Sequence, residues 1–217
     1  MTWQAKRPGL PGDEVLEGKA CRLVPLTWPD AGHAMCAMLA AEDASLWTWM
    51  TIGPFEGPEG IEAVFRTHRA RGLHSMIIEL PGGEIAGSAS FMRMAEPNGA
   101  GEIGTVVFGK ALQRSRAGTE AIYLMLRHLF DDYGWRRVEW LCNANNEPSF
   151  RAGQRYGFTY EGTLRQHRWV KGQNRDTKLA SMLDSEWPAH RYALEAWLAD
   201  ENFDADGRQK RKLESFR

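Results

Sequence analysis

The chain has 217 residues, a length for one domain, and its 43% hydrophobic and 25% charged residues suffice for an extended core in a water-facing shell. Lys and Arg number 27 against 28 Asp and Glu, a formal net charge of -1, which gives no electrostatic case for nucleic acid or an anionic membrane surface. Cys21, Cys36 and Cys142 are too few and too scattered for a disulfide framework or a zinc site, so a reducing, cytoplasmic setting is expected.

The opening MTWQAKRPGLPGDE has no apolar signal run, and no later stretch approaches the roughly 20 apolar residues that span a bilayer. Residues 1–17 are rich in Gly and Pro and predict a flexible arm. A strand is expected over 19–25. Thr27, ahead of Trp28 and Pro29, reads as the N-cap of a helix that runs to Ala41. The aromatic run LWTWMTIGPF, residues 46–55, predicts a helical turn and a loop broken at Gly53-Pro54, and a second helix follows over 58–71. Strands come next at 74–80 and 84–95, joined by a Pro81-Gly82-Gly83 turn, and at 102–108 after Pro97-Asn98-Gly99. The period then changes. Ala121, Ile122, Met125, Leu126, Leu129 and Phe130 share one face of a helix over 117–133. A strand at 137–143, a helix at 148–156 and a strand pair at 158–170 and 177–183 follow. A helix at 185–199 carries Pro188 in its first turn, and residues 201–217 form a charged tail.

This order gives one α+β domain over 18–200. An antiparallel meander is joined through a strand–helix–strand unit, so a mostly antiparallel sheet must contain at least one parallel pair.

Residues 101–121, GEIGTVVFGKALQRSRAGTEA, read as strand, polar loop and helix opening. Such a loop aims backbone N–H groups at one point, where the helix dipole also favours an anion such as a pyrophosphate. Many loops of this kind bind nothing. On the strand, Glu102 shares a face with Gly104, Val106 and Phe108 and is a candidate general base; its bland alternative is an edge or solvent-facing carboxylate.

In their order, "EIG", "Q…TEA", "N-x-x-S" and "GF-x-x-EG-x-LR" resemble the GNAT acetyltransferase superfamily, over residues 21–187. Within it, the closer likeness is to the RimJ/RimL-type branch, known for acetylating protein N-termini. The resemblance implies a GNAT-like central sheet with helices on both faces and transfer of an acetyl group from acetyl-CoA to a primary amine, without a metal. The acceptor would be a protein N-terminus or a small amine such as an amino acid, polyamine or amino sugar. The alternative is a CoA-binding regulatory or pseudoenzyme domain without turnover.

The family's pyrophosphate loop maps onto Gln113, Arg114, Ser115, Arg116, Ala117 and Gly118, with Thr119 placed to cap the helix or reach a phosphate oxygen. Arg116 stands where the first Gly usually is; either its N–H, and with it the guanidinium, faces phosphate, or the loop is distorted and binds CoA poorly. Asn146 and Ser149 match N-x-x-S, which assigns Asn146 to the pantetheine arm. The usual Tyr that protonates the departing thiolate is Gly153 here, which nominates Ser149 as that donor. The alternative for Ser149 is a helix-start hydroxyl bonded to backbone. His167 and Glu161 are weaker candidates, Glu161 being expected to pair with a turn or with Arg165. Trp47, Trp49 and Phe55 are read either as an aromatic wall for the acceptor or as packing, while Trp140 and Cys142 are read as core. The C-terminal helix and strand offer a surface for a homodimer.

Overall fold

The computed structural model describes residues 4–217. Eight strands, β1 (Leu16–Glu17), β2 (Arg22–Pro25), β3 (His74–Glu79), β4 (Ile85–Ala95), β5 (Ala100–Phe108), β6 (Arg137–Asn143), β7 (Thr159–Val170) and β8 (Gln173–Leu183), form one sheet in the order β1-β2-β3-β4-β5-β6-β8-β7. Every neighbouring pair is antiparallel except β5 and β6. The five helices are α1 (Asp30–Ala41), α2 (Pro58–Phe65), α3 (Arg116–Arg127), α4 (Glu147–Tyr156) and α5 (Trp187–Leu198).

The alternation of the strands sorts the core into two layers. Ile77 and Val107 face Met35, Cys36 and Leu39 of α1 and Ile61 and Phe65 of α2. The opposite face, with Met76, Ile78, Phe91, Ile103, Val138 and Met182, packs on the apolar stripe of α3 and on Trp187, Leu194 and Trp197 of α5. Helices therefore cover both faces, and the α+β sheet expected from the sequence is the one found.

Several boundaries differ from the sequence reading. Helix α1 starts at Asp30 with Pro29 before it, and Thr27 supplies a carbonyl to the Gly32 N–H rather than a capping hydroxyl. The second helix stops at Phe65, and a separate 3₁₀ turn spans Arg69–Arg71. Helix α3 gives way to a π-helical turn at His128–Asp132.

The arm and the tail both lie against the domain. The first three residues of the expected flexible arm are outside the described ones; the rest makes tertiary contacts. Leu16 is buried opposite Leu23, Lys6 donates its backbone N–H to Tyr133 O, and the His74 ring bonds the Pro11 carbonyl. In the tail, Leu213 is fully buried and the Arg217 guanidinium bonds the Gln154 carbonyl. The charge that suggested a solvated tail sits on the outer side of a segment held by a few apolar and backbone contacts.

Glu120, from the TEA stretch, is buried on α3. One carboxylate oxygen accepts the Lys19 N–H at 3.0 Å, and the other accepts those of Ala20 and Cys21 at 2.5 and 2.9 Å. Removing it strands three amides that lead into β2. Glu120→Ala is expected to cost about 3 kcal/mol, read as a lower denaturant midpoint with an unchanged slope.

Candidate active site

Strands β5 and β6 pair only at Ala100–Arg137, Gly101–Val138 and Glu102–Glu139, and beyond that point they part. Strand β6 stays bonded to β8 through Asn143, and β5 to β4 through Phe108. Along the split, the facing edges of the two strands have no ladder between them. A buried backbone without partners is costly, so such an edge is suited to an extended polar ligand. Helices α3 and α4 begin just beyond the free ends of these strands, so both N-termini lie at the mouth of the split.

Two bulges bracket the vertex. Between Ser88↔Val107 and Ser90↔Gly104 the extra residue lies on β5, where Thr105 has φ +45°. Between Met92↔Glu102 and Ala95↔Ala100 it lies on β4, where Arg93 has φ +48°. Bulges re-aim side chains and break pairing next to functional sites. The second one turns Arg93 toward the sheet face that carries Glu102 and Glu139, at 2.7 and 3.2 Å.

Glu102 is 6% exposed, so it is not the edge carboxylate that was its bland alternative. Burial pushes its pKa up to about 7, against the opposing pull of Arg93 and Arg168. Oε2 makes no well-aligned hydrogen bond, because the Arg93 approach is close but bent. A carboxylate half-ionised near neutral pH, with an oxygen left for another proton donor, has the properties of a general base. Glu161 has the opposite character. It accepts two bonds from Arg137, at 2.7 and 2.6 Å, and one from Ser181, which hold it near 2; its partner is Arg137 rather than Arg165.

At the α3 N-terminus, Ser115 is the N-cap and its Oγ accepts the Gly118 N–H at 2.9 Å. The N–H groups of Arg116 and Ala117 find no acceptor among the described residues and remain at the positive end of the helix. Gln113 closes the loop by donating to Phe108 O at 2.9 Å, and Arg114 turns it with φ +56°.

Two of the loop expectations fail. The Arg116 guanidinium leaves the loop, bonds the Leu198 carbonyl and Asp200, and lies over the Phe203 ring, so only its backbone is left to face an anion. A side chain in the first helical turn extends outward, where the packed tail offers it partners. Thr119 is 3% exposed; its hydroxyl bonds back to Ser115 O and accepts from Arg155, so it is not free for phosphate.

At α4, the Asn146 carbonyl oxygen caps the Ser149 N–H at 3.2 Å. The Ser149 hydroxyl accepts the Trp140 indole N–H at 3.2 Å, so it is not the backbone-bonded helix hydroxyl of its alternative reading. Accepting that bond polarises the O–H for donation. Gly153 packs its backbone close to the Trp140 ring, 3.0 Å from where a Cβ would lie. Trp47 is buried edge-on against Phe55 at 4.9 Å, which is packing, whereas half-exposed Trp49 borders a cavity of about 230 Å³ with Asn143, Asn145, Asn174 and Arg175.

Missed in the sequence were Arg93, Arg168, Arg175 and Thr177. The tip of the β7–β8 hairpin reaches the loop after α1, where Lys171 Nζ bonds the Trp47 carbonyl at 2.8 Å. Arg93 reaches Glu102 through the bulge on β4, whereas Arg168 and Arg175 act on it from this hairpin. The one local signal is the crowding of cations in RQHRWVKGQNR, which reads equally well as a solvated hairpin.

A parallel strand pair that opens beyond its vertex, a helix N-terminus with unpaired amides at the mouth and a buried carboxylate at the base define an acyl-CoA-type transferase site. A family profile for the acetyltransferase (GNAT) domain matches residues 21–159. A GCN5-related N-acetyltransferase from Brucella melitensis superposes with a TM-score of 0.92 at 38% identity, over 99% of this chain and 97% of that one. A GNAT-family protein from Chromobacterium violaceum superposes at 0.80 with 36% identity, over 86% and 93%. The ribosomal-protein-S5-alanine acetyltransferase from Vibrio fischeri shares the fold at 0.63 and 18% identity, over 81% and 99%. No curated protein matches. The chain belongs to the GNAT acetyltransferase family. It is an acyl-CoA-dependent N-acetyltransferase, and its acetyl donor is acetyl-CoA.

Proposed function

We propose that the protein acetylates a primary amine by direct attack on the thioester, with Glu102 as the base and Ser149 as the proton donor to the thiolate. The amine nitrogen bonds to the acetyl carbon, the C–S bond breaks, Glu102 takes the ammonium proton directly or through water, and the departing sulfur takes the Ser149 proton as solvent water returns one to the hydroxyl. The observation that carries this reading is the single buried carboxylate at the vertex of the split, with a polarised hydroxyl at the start of α4.

The amides of Arg116 and Ala117, in the loop from Gln113 through Ser115 and on to Gly118, would receive the pyrophosphate. The Asn146 amide would meet the pantetheine arm with its nitrogen, since its oxygen is used by the cap. An acceptor of the RimJ/RimL kind, a protein N-terminus or a small amine, is supported by the N-x-x-S and GF-x-x-EG-x-LR motifs. A cytoplasmic setting is supported by three free, buried thiols. The alternative, a CoA-binding domain without turnover, rests on Arg116 in a glycine position and on Gly153 in place of the usual Tyr; the Arg116 side chain is engaged elsewhere and leaves its N–H in place.

Calorimetric titration of the wild type and of Ser149→Ala with acetyl-CoA, beside thiol release with an amine panel, tests the reading. Binding is expected to be nearly the same in both proteins, with kcat roughly 10- to 100-fold lower in Ser149→Ala. No detectable acetyl-CoA binding by the wild type sinks the proposal, and an unchanged kcat removes Ser149 as donor.

A further inference from the structure

Arg168 on β7 and Arg175 on β8 are directly opposite one another across the strand pair. Like charges in that register repel, and sheets ordinarily avoid them. Burial and the neighbouring Arg168 both lower the pKa of Arg175. Yet neither guanidinium has a carboxylate partner among the described residues, whereas Arg93 has two and Arg137 has two.

The surroundings repeat the pattern. Thr177 is 2% exposed, lies two residues along β8 from Arg175 on the same face, and leaves its hydroxyl without a partner. Arg175 Nε and His167 Nδ1 are likewise buried and unpaired. Buried polar groups of this kind are rare, and each calls for an explanation. Here they lie within one strand pair, and the charges of Arg168 and Arg175 are both felt at Glu102, the carboxylate read as the base. Arg175 also lines a cavity with Trp49, Asn143, Asn174 and Asp176.

We propose that Arg168, Arg175 and Thr177 form an anion subsite that holds a carboxylate of the acceptor while its amine lies toward Glu102; this rests on the acetyltransferase reading above. Two opposed guanidinium forks suit the two oxygens of a carboxylate, and a bound carboxylate removes the repulsion between them. The acceptor is thus an amine that also carries a carboxylate, and polyamines are disfavoured because they would add charge to an already cationic wall.

The test reads binding, so it needs no turnover. CoA-loaded protein is titrated with N-acetyl-L-alanine and with its carboxamide, and in a second arm with N-acetyl-Ala-Asp-amide and N-acetyl-Ala-Asn-amide. The expected result is that N-acetyl-L-alanine binds about tenfold or more tightly than its carboxamide, and that Arg168→Gln and Arg175→Gln each erase the difference. A preference confined to the Asp peptide retains the subsite and transfers its source to a peptide N-terminus. Equal binding within both pairs, or a preference that survives Arg168→Gln, overturns the subsite. Arg168 is half-exposed, so its variant carries the test if Arg175→Gln does not fold, and retained acetyl-CoA affinity checks that the site is intact. A protein that binds acetyl-CoA with no carboxylate preference loses the subsite alone, whereas one that fails to bind acetyl-CoA loses the enzymatic reading.

Discussion

Glu102→Gln is expected to lower kcat/KM by roughly 100-fold or more above pH 8 and to abolish the rise of rate with pH. In the wild type that rise centres near pH 7, because burial lifts the carboxyl to about that value and only the ionised form accepts a proton. The same shift predicts a stability effect of definite sign. The native carboxyl holds its proton up to about pH 7, whereas the unfolded chain releases it near the ordinary glutamate value of 4.5. Stability is therefore full below pH 4.5 and falls as pH rises through 7, by of order 3 kcal/mol. Gln carries no such loss, so the variant should gain on the wild type between pH 5 and pH 8, less whatever Arg93 loses with its partner. Denaturant unfolding at the two pH values measures this, and pH–rate profiles measure the first effect. A profile that keeps its limb in the Gln variant retires Glu102 as the base.

Gly118→Ala is expected to disable the other end of the site. A Cβ there would lie 2.2 Å from the Leu112 carbonyl oxygen and 3.2 Å from the Phe108 ring. The obstructing atom is backbone, so the first turn of α3 must move away from the loop that Ser115 caps. Overpacking of this kind costs about 1–3 kcal/mol. Because the displaced turn carries the free N–H groups of Arg116 and Ala117, acetyl-CoA affinity should fall at least about tenfold alongside the thermal midpoint. Loss of stability with unchanged acetyl-CoA affinity would mean that these amides do not hold the pyrophosphate.

The fold was legible from local signals. The change from a period of two to a helical period after Phe108, the glycines at 134 and 157 and the turn at Pro81-Gly82-Gly83 are written in a few residues each, and the elements appear where they predict. The motif order also pointed to Ser149 and Glu102, because both lie on elements whose start or alternation is local. Thr119 and Arg116 misled for a physical reason. A sequence gives their place on α3 but not what packs beside it, and here Arg155 and the chain around Asp200 take up their polar groups.

By itself, then, the sequence determined the element order, the parallel crossover and the helices expected over 117–133 and 148–156, since each depends on contacts within a turn or two. Tertiary structure alone decided the burial that moves Glu102 to about 7, the bulge that aims Arg93 at it and the hairpin closure that sets Arg168 and Arg175 beside it. Those features depend on strands distant in sequence meeting in one register. The free energy of a charge depends on everything packed around it, which no local pattern records.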